Sequence, residues 1–69
     1  MTLPTTIAQF AEACKSLDNE AIYELFEDEI TQDLRDEIYL TYSTEENEPM
    51  REAMYKIGLQ YNVQSLIDY

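Results

Sequence analysis

Histidine and tryptophan are missing from this chain, glycine and cysteine occur once each, proline twice, and lysine and arginine together only four times in 69 residues. Each scarcity closes a route. With Cys14 alone no intrachain disulfide can form, and without histidine or a second thiol a zinc site lacks its usual ligands. Four dispersed cations cannot neutralise a run of phosphates, so direct binding to nucleic acid is not expected. There is neither a basic N-terminal region nor a long apolar run, which leaves a signal peptide and a membrane span unsupported. An unpaired cysteine then points to the cytoplasm. Disorder, which high net charge favours, is opposed by an apolar content of 45%, six tyrosines and the single glycine.

Catalysis is equally short of parts. The chain has no Gly-rich loop and no nucleophile motif, and Cys14 has only Lys15 beside it to activate a thiolate, so it reads as a small buried apolar residue. Paired carboxylates need a concave pocket that separates their pKa values, for which a chain this small has little room. The acidic cluster Glu27-Asp28-Glu29 with Asp33, Asp36 and Glu37 lacks the alternating ligands and central glycine of an EF-hand, and a di-metal carboxylate site wants histidines. The chain is therefore read as a non-enzyme, with no catalytic residue, no metal ligand and no cofactor.

Acid is what the chain has in plenty. Fifteen Asp and Glu against four Lys and Arg give a formal charge of -11, so a charged partner is expected to be basic. A chain near this length buries only about 60% of the surface its unfolded form exposes. With disulfides and metals closed off, oligomerisation is the remaining way to reinforce a thin core.

Residues 1–69 read as one all-α domain, a short helical hairpin of two to three helices assembled as a homodimer. The first helix spans about Thr5 to Lys15, with Ile7, Phe10, Ala11, Cys14 and Leu17 on one side and a Thr6/Gln9 capping box at its start. Asp18 or Asn19 caps the next segment. From Glu20 to Tyr42 the apolar side is first Ile22, Leu25 and Phe26, then Ile30, Leu34, Ile38 and Tyr42, rotated by roughly a third of a turn at 3.6 residues per turn. Either the helix breaks near Asp28 to Thr31, with Thr31 as a new cap, or one helix presents different sides to different neighbours. Continuity is favoured, since neither Gly nor Pro interrupts the stretch. A polar loop over 43–49 leads through Pro49 into a last helix with the stripe Met50, Ala53, Met54, Ile57 and Tyr61, an i,i+4 pair of Glu52 with Lys56, a weakening Gly58 and an end at Asn62. The tail from Val63 to Tyr69 is apolar enough to dock. Either the Ile30/Leu34/Ile38 line or the Met50/Met54/Ile57 stripe supplies the dimer contact.

Function is sought in what lies outside these stripes. Arg51 and Tyr55 fall off the last stripe together, and Tyr39 falls off the line before it. Exposed Tyr and Arg are over-represented at interface hot spots. Tyr39, Tyr42, Glu45, Glu46 and Arg51 are the candidate partner-binding residues. Rows of carboxylates one helical turn apart are compatible with a decoy for DNA phosphates, although a solvated face explains them as well.

In its size, acidity and helical character, and in the opening Met1-Thr2-Leu3-Pro4-Thr5-Thr6 followed by a helix from Phe10 to Leu17, the chain resembles the phage-encoded anti-quorum-sensing proteins. That resemblance implies a helical homodimer in the host cell cytoplasm that binds a LuxR-type transcriptional regulator and blocks its DNA-binding activity. It also implies binding to the ATPase that powers type IV pilus assembly. The basic helix-turn-helix surface of such a regulator agrees with the acidity of this chain. The alternatives are an acidic DNA mimic of the anti-CRISPR or anti-restriction kind and a small phage assembly chaperone.

Overall fold

The computed structural model describes residues 3–42 and 47–69, and within them the chain is helical with no strand. Five α-helices follow one another, in place of the two or three expected: α1 (Ile7–Cys14), α2 (Asn19–Glu24), α3 (Gln32–Tyr42), α4 (Pro49–Tyr61) and α5 (Gln64–Ile67), with a π-helical stretch (Leu25–Glu29) continuing α2.

Local chemistry accounts for most of the boundaries. Thr6 is extended and its hydroxyl accepts from the Gln9 N–H at 3.1 Å, starting α1. The Gln9 carboxamide folds back one residue further than a capping box requires, accepting from the backbone N–H and the hydroxyl of Thr5 at 2.8 and 2.9 Å. Asp18 caps α2 through a 2.9 Å bond from the Ala21 N–H, where a carboxylate also complements the helix dipole. Pro49 occupies the first turn of α4, and Asn62 ends that helix in the left-handed region at φ 58°. Asparagine tolerates this conformation better than most side chains.

The stretch from Glu20 to Tyr42 is not one helix. The Ile30 N–H reaches back to the Leu25 carbonyl at 3.0 Å, closing the π turn, and Ile30 itself is extended at ψ 162°. Thr31 then caps α3, accepting from the Leu34 N–H at 3.2 Å. Burial outweighs propensity here. A straight helix cannot aim both Ile22/Leu25/Phe26 and Ile30/Leu34/Ile38 at one core, and burying such side chains contributes roughly 1.5–3 kcal/mol each. Each helical bond given up at the break is worth only about 1 kcal/mol net. With the break, all six are buried in a single cluster.

That cluster corrects the dimer contact expected above. Ile30, Leu34, Ile38, Met54 and Ile57 are each at most 4% exposed within one chain, and Met50 is half-buried. They are core residues because α4 is covered on several sides at once, by α1, α3 and α5. The tail does dock: Val63 and Leu66 are buried, and the Ser65 hydroxyl donates to the Cys14 carbonyl. Gly58 permits this approach, since a Cβ there would lie 2.7 Å from the Ile67 nitrogen. Phe26 links the layers, meeting Phe10 edge-on at 5.9 Å and Tyr39 at 5.3 Å. No described helix is long and apolar enough to cross a membrane.

Candidate protein-binding surfaces

Arg35 determines the character of the first surface. It is the only cation between Lys15 and Arg51. The break at Ile30 leaves carbonyls at the end of the π stretch without helical partners, and Arg35 supplies donors for them. Its Nε donates to the Phe26 carbonyl at 2.8 Å, and its Nη2 donates to the carbonyls of Glu27 and Ile30 at 2.9 and 3.2 Å. Nη1 donates to Gln32 Oε1 at 2.7 Å, and the guanidinium lies 5.8 Å from the Phe26 ring centre. A cation at a helix C-terminus is favourable in itself. In the sequence Arg35 reads only as a good helix former, because its carbonyl partners lie five to nine residues back.

With Arg35 turned onto the backbone, most of the surrounding carboxylates face solvent. Asp18, Glu20, Glu24, Asp28, Glu29, Asp33, Asp36 and Glu37 are exposed and Glu27 is half-buried. The ion pairs seen among the described residues, Lys15–Glu12, Arg51–Glu48 and Lys56–Glu52, engage none of them.

A second surface gathers tyrosines. Tyr39 is half-buried against Phe26, and burial raises its phenol above the ordinary value, with the Glu27 carboxylate adding to the rise and Arg35 partly opposing it. Tyr69 is raised by burial, then by Tyr23 and Glu27, so Tyr23, Tyr39 and Tyr69 share one environment beside that carboxylate. Tyr39 and Tyr69, whose phenols are raised, are protonated donors at neutral pH. Tyr69 also donates to the Met50 sulfur at 3.6 Å. Neither Tyr69 nor the 89% exposed Leu40, which lines a hollow with Asp36, Tyr39 and Pro49, was singled out from sequence.

Tyr42 does not belong to a surface. It is 8% exposed, and its hydroxyl donates to Gln60 Oε1 at 2.7 Å, so its assignment as a partner-binding residue is corrected. Its place on the Ile30/Leu34/Ile38 line already signalled the core. Glu45 and Glu46 lie outside the described residues.

Arg51 stands where the sequence put it, exposed beside Tyr55. Both line a cleft of about 440 Å³ with Asp68 and Tyr69, and Arg51 and Tyr69 also border an adjoining hollow with Asn19 and Met50. Arg51 is loosely held: its bond to Glu48 is 3.7 Å between side chains 65% and 71% exposed, against 2.6 Å for Lys56–Glu52. Tyr39 and Arg51 line different hollows. Tyr69 is electrostatically linked to Tyr39 and borders both hollows at Arg51.

Among the described residues no group of three or more His, Cys, Asp or Glu is arranged to hold a metal ion. The Cys14 thiol is buried, and desolvation pushes it up to about 12, which keeps it from acting as a thiolate at neutral pH. Compared with protein-family models, with curated proteins and with solved structures, the chain matches none.

Proposed function

We propose that the chain is a non-catalytic inhibitor that holds the basic, DNA-contacting surface of a LuxR-type transcriptional regulator and so keeps it from its operator. One observation carries this reading: from Asp18 to Glu37 the carboxylates reach the surface while the one cation of that stretch, Arg35, is bound to backbone carbonyls. The face is therefore more uniformly negative than composition alone requires. Charge of one sign steers a basic partner and raises its on-rate, but gives little discrimination. Discrimination falls to Tyr39 and Arg51, together with Tyr69. The resemblance to anti-quorum-sensing proteins supplies the identity of the regulator, adds the type IV pilus assembly ATPase as a second partner, and places the encounter in the host cytoplasm. The homodimer that it also implies must use residues outside the intrachain core, and Leu40 and Leu59 are the most exposed large apolar side chains described, at 89% and 55%.

The test is competition between this protein and labelled operator DNA for a purified LuxR-type regulator, repeated with Arg51→Ala and Tyr39→Ala. Displacement of the DNA, weakened by about tenfold or more in at least one variant, a loss of about 1.4 kcal/mol, is expected. Displacement that neither variant weakens would instead favour an acidic DNA mimic acting through many carboxylates, a reading supported by the exposed acids and recognised by a steep loss of binding with salt. Absence of displacement refutes both.

A further inference from the structure

A groove of about 380 Å³ runs between the stretch before α1 and the residues on either side of the α1–α2 turn. Pro4, Ala13, Leu17, Ala21 and Leu25 line it, and Leu3, 43% exposed, forms one side. Ala13 on α1 and Ala21 on α2 are only partly covered, and their small side chains leave open a space that larger residues would fill. Around this apolar floor the charged groups are Glu24, the last residue of α2, and Glu29, the last of the π stretch. Both are exposed, neither is in an ion pair seen among the described residues, and no cation lines the groove.

An occupant must therefore be apolar where it enters and cationic at its flanks. The volume is at the low end of the roughly 300–1,000 Å³ of small-molecule clefts, enough for a few anchor side chains and too little for a whole helix. Amphipathic helices meet both demands, laying side chains at i and i+3 or i+4 into a groove while Lys and Arg flank them. A second copy of this chain fits poorly, since it brings a charge of -11 against the carboxylate rim. Anionic lipid is repelled for the same reason.

We infer that this groove receives the apolar anchor residues of a cationic amphipathic helix on a partner protein, with Glu24 and Glu29 pairing with the lysines or arginines beside those anchors. The inference rests on the reading of the chain as a binder of basic partners and adds to it a site where contact is apolar. The test is a titration of the isotope-labelled full chain with three probes: a Leu/Lys peptide with its leucines on one helical face, a peptide of the same composition with leucines on all sides, and poly-lysine of equal length. The one-faced peptide should bind tightest, with amide shifts gathered at Leu3, Ala13, Leu17 and Ala21. Ala13→Gln, which fills the groove, and the Glu24→Gln/Glu29→Gln pair should each weaken it by about tenfold, or about 1.4 kcal/mol. If Ala13→Gln fails to fold, the Gln pair, which alters exposed carboxylates alone, decides the matter. Equal binding of all three probes, with shifts spread over the acidic face, overturns the groove and leaves the electrostatic reading standing. If no probe binds, both fall.

Discussion

Two helix breaks shape this molecule, and opposite means hold them. At Ile30–Thr31 the chain leaves the helix without glycine or proline, and a long cationic side chain, Arg35, gathers the carbonyls that the break sets free. At Asn62–Val63 the chain turns through a left-handed asparagine, and the absence of a side chain at Gly58 lets α5 lie against α4. The first break is secured by hydrogen bonds from a residue nine positions away from its farthest partner, the second by backbone conformation and close packing. A break of the second kind is written in residues at the break itself. One of the first kind is written partly at the break, in the Thr31 cap, and partly elsewhere, in Arg35.

The comparison is broken most severely at Arg35. Arg35→Ala removes charge-assisted bonds to three carbonyls and leaves those groups to find water, so urea unfolding should show a loss of roughly 2–4 kcal/mol. A loss below about 0.5 kcal/mol would mean that the break is held by packing alone. Gly58→Ala tests the other site, and its sign matters more than its size. Propensity predicts a gain of up to about 1 kcal/mol for alanine in a helix interior. The overlap with the Ile67 nitrogen predicts a net loss of roughly 1–3 kcal/mol instead, with faster hydrogen exchange at Leu66 and Ile67. Asn62→Gly, which relieves a non-glycine residue at φ 58°, should raise the melting midpoint by an amount equivalent to a few tenths of a kcal/mol to about 1 kcal/mol. Arg51→Ala, in neither break and only loosely paired, should change stability by under about 0.5 kcal/mol, so that any loss of partner binding reports on the interface.

Alkali reads the core that both breaks serve. Cys14 has an ordinary value of 9.0 and is pushed up to about 12 in the fold by burial, so the folded state prefers the protonated thiol. Its contribution is complete below pH 9 and lost as pH rises from there toward 12. The raised phenols of Tyr39, Tyr42 and Tyr69 add to the loss above pH 10. In Cys14→Ala the decline should begin about one pH unit later. An unchanged onset in unfolding curves taken between pH 8 and 11 would show that the thiol is solvated.

How much was legible follows the same division. Thr6, Asp18, Pro49 and Asn62 act within a few residues of where they stand, and the sequence announced each of them. The apolar stripes were visible too, but not their use. On the premise of a thin core they are expected to meet a second copy of the chain, whereas within one protomer α3 and α4 pack against each other and α1 and α5 add cover to α4. Tyr42 was assigned to a surface although it lay on such a stripe. Arg51 and Tyr55 were found because exposure follows from a helical wheel. Tyr69 and the groove beside Ala13 and Ala21 were not, since both arise where separate elements meet.

The inward course of Arg35 also bears on how the protein is degraded. A protease that cuts after lysine and arginine has only four places to act on this chain. Lys15 follows directly on α1, and the peptides after Arg51 and Lys56 lie within α4, whereas the peptide after Arg35 lies inside α3 with its side chain held by the carbonyls of the preceding stretch. Cleavage there must wait for α3 to open. The rate at which that one fragment appears under mild trypsin would therefore time the opening of the break.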